Sequence, residues 1–258
     1  HVGKLRRHGV MTLSRSPVAS QLLVAPKPPP ALWRMCLNPK DINAITYCAA
    51  NPLPNIDDLI NKTRGAKWFA ALDLTSACHQ FAVHKDSQYL LACRTMRQLL
   101  QWTRVPFGVH SAPPHVQQCM TELFLDLDNV EVYLDDILLF AKTREELAST
   151  LEKVLDRLLA KGMVLRPDKC QIGVQQLQYL GFLIDGSGKR IPLEKVSSFR
   201  DITRPSSRRQ VRSFLGAANY FRSFIKDFAT IAAPLYDLLK GKDKSIVWGE
   251  VEDRAFKK

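Results

Sequence analysis

The sequence predicts an α+β fold in which a β-sheet carries two helices on one face. A short apolar strand spans 68–72, and a β-favouring run at 130–140 is interrupted in its middle by Asp135 and Asp136. Stretches with helical periodicity precede and follow that run, so the order is strand, helix, hairpin, helix. With 258 residues and 46% hydrophobic content, the chain can bury the core that such a fold needs.

The N-terminal part is predicted to be mostly extended. Residues 14–40 are rich in proline and lack helical periodicity, which is typical of strands and stiff loops. A short helix is expected from Ile56 to about Lys62, ending at Gly65. The strand at 68–72 follows and places Asp73 at its end.

Two helices flank the run at 130–140. Ser111 can cap the first helix, whose apolar residues fall on one face. Thr143 and Glu146 predict a capping box at the start of the second helix, and an apolar stripe continues from there to Gly162. We interpret that stripe as core and not as a functional surface.

Residues after Ile191 and Pro192 predict a separate small helical domain with a basic face. Ser207 and Gln210 can form a capping box for one helix, and a further helix ends near Gly241. A basic face can bind a polyanion or can simply be solvated, and the sequence favours neither interpretation.

Composition narrows the classes of partner. Thirty-seven Lys and Arg residues against 25 Asp and Glu residues give a net charge of +12, which favours polyanions such as nucleic acid without proving such a partner. The six cysteines occur singly, so neither a disulfide framework nor a zinc site is expected. Apolar stretches are too short to cross a membrane, and no signal peptide opens the chain.

An intracellular protein without a membrane partner is therefore expected. The chain begins at His1 and stops at Lys258 partway through an element, so we expect it to be a piece of a longer polypeptide. The sequence does not specify its oligomeric state.

The adjacent Asp135 and Asp136 are the first candidate functional residues. In isolation, an Asp-Asp pair between two strands is most often ordinary turn chemistry. Asp73 changes this interpretation, because carboxylates from separate segments can converge on one edge of a sheet. Phosphoryl transfer with two Mg²⁺ ions, for which Mn²⁺ can substitute, needs such an arrangement: one ion activates an attacking 3′-hydroxyl and the other holds the triphosphate.

Short motifs follow one another along nearly the whole chain. They are Leu72-Asp73-Leu74-Thr75-Ser76, His79-Gln80, Val105-Pro106-Phe107-Gly108, Ser111-Ala112-Pro113, Tyr133-Leu134-Asp135-Asp136-Ile137-Leu138, Leu180-Gly181 and Ser213-Phe214-Leu215-Gly216-Ala217-Ala218-Asn219-Tyr220. In order and spacing they resemble the reverse transcriptases of gypsy-type LTR retrotransposons. Each motif alone is weak to moderate, but the combination is highly specific.

The resemblance implies a right-hand polymerase with fingers, a ferredoxin-like palm and a helical thumb. It implies an RNA-directed DNA polymerase that extends a primer with deoxynucleotides on an RNA or DNA template, in a cytoplasmic particle or the nucleus. A decayed or repurposed domain that binds nucleic acid without polymerising is the alternative. The implied segments are the N-terminal segment and fingers at 1–66, a first palm strand at 67–80, a fingers hairpin at 81–110, the rest of the palm at 111–188, the thumb at 189–241 and the start of the connection and RNase H region at 242–258.

The resemblance also assigns roles to individual residues. It implies catalysis and metal binding by Asp73, Asp135 and Asp136, with the backbone carbonyl of Leu74 as a further metal ligand. Substrate binding is implied for Lys27 and Arg34 at the triphosphate, Phe107 and Gly108 against the incoming nucleotide, Cys78 at the sugar and Lys169 at the departing pyrophosphate. Nucleic-acid contacts are implied for Tyr133, Tyr179, Leu180, Gly181, Arg208, Arg209 and Arg212.

The chain departs from the family pattern at several positions. Cys78 stands where the family usually has a tyrosine whose ring excludes a 2′-hydroxyl, and Asn38 replaces an aspartate of the fingers. Gln98 and Leu100 replace a glycine and an aromatic residue, and Ser111 replaces a capping asparagine. These changes bear on sugar discrimination and catalytic efficiency. The last residues resemble the opening of an RNase H region but lack its acidic residues, so no RNase H activity is expected.

Overall fold

Residues 2–26, 33–48, 53–200, 202–240 and 246–258 are described by a computed structural model. The chain divides into two units, His1–Pro192 and Leu193–Lys258, at the point where the sequence turns helical and basic. The strands are β1 (Met11–Leu13), β2 (Ser20–Pro26), β3 (Trp33–Asn38), β4 (Trp68–Asp73), β5 (Ala92–Arg94), β6 (Leu99–Trp102), β7 (Val130–Tyr133), β8 (Asp136–Ala141), β9 (Gln171–Val174), β10 (Gln176–Tyr179), β11 (Phe182–Asp185) and β12 (Gly188–Arg190). The α-helices are α1 (Val2–Arg7), α2 (Lys40–Ile45), α3 (Ile56–Lys62), α4 (Ala112–Leu123), α5 (Arg144–Ala160), α6 (Leu193–Arg200), α7 (Arg208–Tyr220), α8 (Phe228–Asp237) and α9 (Glu250–Lys257). Short 3₁₀ helices span Ala77–Gln80, Lys85–Leu91, Pro167–Lys169 and Arg222–Phe224.

A four-stranded antiparallel sheet in the first unit has the strand order β7-β8-β4-β9. Ala70 and Leu72 of β4 are buried in one core with Met120 of α4 and Val154 of α5. Because side chains alternate along a strand, Asp73 faces away from this core. The predicted arrangement, a sheet with two helices on one face, is confirmed.

A second sheet in the same unit combines segments that are far apart in the sequence. Its strand order is β1-β6-β5-β2-β3, with β2 and β5 parallel and the other neighbours antiparallel. Met11, Leu37, Leu100 and Trp102 form its core, and each is at most 2% exposed. Residues from the implied N-terminal fingers segment and from the implied fingers hairpin therefore share one sheet.

The starts of α4 and α5 differ in how well the sequence predicts them. Thr143 has an extended backbone, and its hydroxyl oxygen accepts a hydrogen bond from the Glu146 N–H at 3.1 Å, as predicted. The prediction that Ser111 caps α4 is wrong, because Ser111 has helical φ and ψ of −80° and −11° and its side chain makes no capping hydrogen bond. The Ala112 N–H instead donates to the carbonyl of Val109.

Strands β10, β11 and β12 form a third, antiparallel sheet. Leu180 and Gly181 make the turn between β10 and β11, with φ values of +47° and +85°. Lys189 of β12 forms an ion pair with Asp57 of α3, which fastens this sheet to the rest of the first unit.

The second unit is helical, as the sequence predicts. Ser207 caps α7 by accepting a hydrogen bond from the Gln210 N–H at 3.4 Å. The core of this second unit is formed by Val211, Leu215, Ala232 and Leu235, against which Trp248 and Ala255 pack. Among the helices of the described residues, none combines the length and the apolar character that a membrane crossing requires.

Candidate active site

The three aspartates that were predicted to converge meet at one end of the four-stranded sheet. Asp73, the last residue of β4, lies directly opposite Asp136, the first residue of β8. Asp136 in turn lies opposite Tyr133 of β7. The side chains of Asp73, Asp136 and Tyr133 therefore share one face of the sheet. The Leu74 N–H donates to the carbonyl of Asp135 at 3.2 Å, which holds the hairpin tip against the end of β4.

The electrostatics of this cluster favour a cation. Burial, together with the charges of Asp135 and Asp73, raises the pKa of Asp136 to about 6, although the charge of Lys169 opposes this shift. The Lys169 Nζ lies 3.5 Å from Oδ2 of Asp73. Carboxylates that raise one another's pKa are stabilised by nearby positive charge.

Among the described residues, no three His, Cys, Asp or Glu side chains lie close enough together to enclose a metal ion by themselves.

A cleft of about 670 Å³ lies beside the aspartates. It is lined by Asp73 and Asp135 and also by Arg34, Phe107 and Lys169. Of the three clustered aspartates, Asp73 and Asp135 line the cleft and Asp136 does not. The volume suits a small-molecule ligand, and charges of both signs surround it.

An aromatic cluster supports part of the cleft wall. The ring of His79 contacts those of Trp102 and Phe107, with centroid distances of 5.2 and 4.8 Å. The guanidinium of Arg34 lies 4.7 Å from the centroid of Phe107. Burial lowers the pKa of His79 despite its hydrogen bond with Val105, so the ring is neutral at pH 7 and its Nδ1–H donates to the Val105 carbonyl at 3.0 Å.

Phe107 and Gly108 form a turn that requires glycine. Gly108 has a φ of +114°, and a Cβ there would lie 2.2 Å from the backbone oxygen of Leu37. The Leu37 N–H donates to the Phe107 carbonyl at 2.9 Å, and the Asn43 side-chain amide donates to the Gly108 carbonyl at 3.1 Å. These contacts hold the Phe107 ring in place at the cleft.

Cys78 also lines the cleft and is half-buried. Burial raises the pKa of its thiol, and the charge of Asp135 adds to this effect, while Arg34 opposes it. The thiol is therefore protonated at pH 7 and forms a small, weakly polar part of the wall.

The family model for reverse transcriptase (RNA-dependent DNA polymerase) matches residues 25–184, which is more than half of the chain. The chain belongs to the reverse transcriptase family. Its relatives include the retrovirus-related Pol polyprotein from transposon 297 of Drosophila melanogaster, 30% identical over 94% of this chain, and the transposon Tf2-3 polyprotein of Schizosaccharomyces pombe, 30% identical over 96%. The chain spans 24% and 19% of the lengths of these two proteins. The resemblance to gypsy-type retrotransposon reverse transcriptases is confirmed.

Solved structures of reverse transcriptases show the same fold. The foamy viral protease-reverse transcriptase in complex with double-stranded DNA matches with a TM-score of 0.91 at 26% identity, over 98% of this chain and 45% of that chain. The foamy viral enzyme in complex with an RNA/DNA hybrid gives a TM-score of 0.86 at 26% identity, over 99% and 35% of the two chains. The α+β polymerase fold is confirmed.

The structure brings most of the substrate residues implied by the reverse transcriptase resemblance to the cleft. Arg34, Cys78, Phe107 and Lys169 line it, and Gly108 shapes the turn beside it. Lys27, which the resemblance also assigns to the triphosphate, lies outside the described residues.

Tyr179, which the resemblance assigns to nucleic-acid contact, has a buried side chain. Tyr179 is 3% exposed, and its hydroxyl donates to the Asp136 carbonyl at 3.2 Å. The strand therefore buries this ring, and the assignment of Tyr179 to nucleic-acid contact stays a prediction that concerns its backbone. Leu180 and Gly181, which follow it, occupy the hairpin turn.

The three arginines implied for the reverse transcriptase thumb also differ from one another. Arg209 and Arg212 of α7 are exposed. Arg208 is half-buried, and its guanidinium donates to the carbonyl of Lys240 at 2.7 Å. Arg208 is therefore at least partly used within its own unit.

The sequence did not indicate that two glutamines support the aspartates of this reverse transcriptase. Gln117 of α4 is 4% exposed and forms hydrogen bonds with the backbone of the β7–β8 hairpin, which carries Asp135 and Asp136 and is called the aspartate hairpin below. Its position three residues before Met120, on the apolar face of the helix, was a signal that could have found it. Gln80 bonds to the backbone beyond Asp73; the His79-Gln80 motif singled out this residue, but nothing in the sequence indicated the contact.

Proposed function

We propose that this chain is the polymerase domain of a retrotransposon reverse transcriptase, which extends a primer with deoxynucleotides on an RNA or DNA template. The observation that carries the proposal is the pairing of Asp73 with Asp136 beside Asp135, at a cleft that also contains Arg34 and Lys169. Structural neighbours in complex with double-stranded DNA and with an RNA/DNA hybrid support a template-primer as partner.

Reverse transcriptases generally use divalent metal ions, and we propose that the carboxylates at the cleft of this chain hold two Mg²⁺ ions. Mg²⁺ prefers oxygen ligands and is usually held by one or two carboxylates together with substrate phosphates, so a site needs no cage of three protein ligands. Asp73, Asp135 and the Leu74 carbonyl would hold the ions, and Asp136 would add negative charge. When bound, Mg²⁺ or a substituting Mn²⁺ makes the primer 3′-hydroxyl more acidic and neutralises charge on the departing pyrophosphate.

The other cleft residues bind and orient the nucleotide. The guanidinium of Arg34 is planar and can bind phosphate oxygens in pairs, with Lys27 as a second cation for the triphosphate. Lys169 places an ammonium group beside Asp73, where it can offset charge on the leaving group. Phe107 and its cluster give the nucleotide a rigid surface, which lowers the entropic cost of aligning it.

Further residues in each unit are proposed to contact the template-primer. Arg209 and Arg212 are exposed cations suited to phosphate contacts, which position a duplex without reading its sequence. The turn of Leu180 and Gly181, together with Tyr133, is proposed to contact the primer end.

Primer extension tests the proposal. Asp135→Asn removes one charge from the cleft at nearly constant size, and we expect the rate of nucleotide addition to fall by about a thousandfold, which corresponds to about 4 kcal/mol of barrier. Asp128→Asn is the matched control, because Asp128 is exposed and does not line the cleft. It should keep the rate within about twofold of the wild-type value.

Two outcomes would contradict the proposal. An Asp135→Asn variant that extends primers at the wild-type rate would show that the Asp135 carboxylate is not needed for catalysis. Salt-sensitive duplex binding by a wild-type chain that extends no primer in Mg²⁺ or Mn²⁺ would identify a domain that binds nucleic acid without polymerising. The replacements at Cys78 and Asn38 are the observations in favour of that second function, whereas the intact aspartates and the family match favour polymerisation.

A further inference from the structure

The side-chain amide of Gln80 makes three hydrogen bonds to two separate stretches of backbone. Its Nε2 donates to the carbonyl of Thr75 at 2.8 Å and to the carbonyl of Val164 at 2.9 Å. Its Oε1 accepts from the N–H of Val164 at 2.8 Å. The amide therefore pairs with both backbone groups of Val164, as a neighbouring strand residue would.

These two stretches form a short antiparallel ladder beyond the end of β4. The Thr75 N–H donates to the Val164 carbonyl at 2.9 Å, and the Arg166 N–H donates to the Asp73 carbonyl at 2.8 Å. Leu74 and Leu165 pair between them as an isolated bridge. Gln80 adds its amide to the end of this ladder that lies farther from Asp73.

The ladder sets the position of Lys169 relative to Asp73. Three residues after Arg166, the Lys169 ammonium lies 3.5 Å from the Asp73 carboxylate. Asp73, Thr75, Arg166 and Lys169 all line the cleft, whereas Gln80 does not. Gln80 can therefore influence the cleft only through the backbone that it holds.

We propose that Gln80 is a positioning residue that fixes the Lys169 segment against Asp73 and thereby places the ammonium group at the leaving-group end of the cleft. The inference rests on the proposed polymerase function. A glutamine is needed because one planar group must both donate to and accept from Val164. Glutamate has the same shape but, when ionised, offers no donor to the carbonyls of Thr75 and Val164.

Amide hydrogen exchange tests this placement without requiring activity. We expect Gln80→Ala, which removes both the donor and the acceptor of this side chain, to speed exchange of the Val164 and Arg166 N–H groups at least tenfold. The matched control is Gln88→Ala, because the Gln88 Nε2 also donates to the carbonyl five residues earlier, that of Val83 at 3.0 Å, but lies outside the cleft. It should leave exchange at Val164 and Arg166 unchanged. Unchanged exchange at these two amides in Gln80→Ala would overturn the inference.

A double-mutant comparison tests the link to Lys169. We expect Gln80→Ala to lower kcat for nucleotide addition about tenfold while the KM for the nucleotide changes less than threefold. In a Lys169→Ala background, the same substitution should change kcat less than twofold, because the group that Gln80 positions is already gone. Losses that simply multiply would indicate a general structural role and would overturn the inference.

The two proposals fail in distinguishable ways. A wild-type chain that extends no primer contradicts the polymerase function, and the exchange measurement alone then decides whether Gln80 holds the ladder. An active chain whose Val164 and Arg166 exchange ignores Gln80 contradicts only the positioning role.

Discussion

At the scale of single residues, Cys78 is the departure with the clearest chemical consequence. The family resemblance places a tyrosine ring here, where it lies under the sugar and excludes a 2′-hydroxyl. The half-buried Cys78 lines the cleft near Asp135, and burial keeps its thiol neutral by raising its pKa. A neutral thiol occupies far less volume than a phenol ring, so the proposed sugar site is predicted to have room for an additional hydroxyl.

Extension on a poly-rA template with dTTP or UTP measures this effect. We expect the wild-type chain to accept UTP with a kcat/KM within about a hundredfold of that for dTTP, and Cys78→Tyr to widen the ratio by about a further hundredfold, or roughly 3 kcal/mol. Cys78→Ala is the control, since it removes the sulfur without adding bulk, and it should leave the ratio within threefold. If the tyrosine variant discriminates no better than the wild-type chain, another residue selects the sugar.

The placement of individual residues could be predicted where the alternation of apolar residues shows which face of a strand is buried. Asp73 and Asp136 end and begin strands whose buried faces are evident, so their meeting could be predicted. Tyr179 was assigned by resemblance, although the alternation of Gln176, Leu177 and Gln178 already places it on the buried face with Leu177. Because the Tyr179 ring is buried, a nucleic-acid contact at this position is predicted for the backbone and not for the ring.

At the scale of secondary-structure elements, Gln117 connects α4 to the aspartate hairpin. Its Nε2 donates to the Val132 carbonyl at 2.9 Å, and its Oε1 accepts from the Leu134 N–H at 2.7 Å. Leu134 has a φ of +57°, which is unfavourable for a branched residue, and it directly precedes Asp135. The Gln117 amide therefore supports the strained residue that aims the aspartate.

Replacing this amide with an apolar side chain of similar size should destabilise the fold. Gln117→Met leaves the Leu134 N–H and the Val132 carbonyl without this partner in a buried site, and we expect the free energy of unfolding to fall by roughly 2–4 kcal/mol. Urea denaturation monitored by circular dichroism measures the change. Gln118→Met, at the adjacent exposed position, should cost less than about 0.5 kcal/mol. Equal losses at the two positions would exclude a special role for the Gln117 contacts.

The elements themselves were predictable where short-range chemistry determines them. The hydroxyl of Thr143 and the regular apolar stripe after it define α5 from the sequence alone. The sheet that joins β1 to β6 and β2 to β5 was not predictable in the same way, because its pairings span tens of residues and no local pattern encodes their register. The resemblance supplied the grouping into fingers, but the pairing required the structure.

At the scale of the whole molecule, the net charge of +12 predicts that the proposed binding to nucleic acid depends strongly on salt concentration. The sequence indicated a basic helical segment but could not separate the arginines that face solvent from those used within the fold. Arg209 and Arg212 are exposed, whereas the guanidinium of Arg208 donates to the Lys240 carbonyl. These arginines on one helix therefore allow exposed guanidinium groups to be compared with one that is bonded within the fold.

The salt dependence of duplex binding should report this difference. In a plot of log K against log salt concentration, each phosphate contact contributes a slope of about −0.9, so Arg209→Ala and Arg212→Ala should each make the slope less steep by about 1. Arg208→Ala should change the slope by less than about 0.3 and should instead lower thermal stability, because it removes a hydrogen bond from α7 to the segment that follows α8. Fluorescence anisotropy with a labelled primer-template between about 50 and 300 mM salt measures the slopes. If Arg208→Ala reduces the slope as much as Arg209→Ala does, its guanidinium leaves Lys240 to contact phosphate, and the implied set of three thumb arginines is restored.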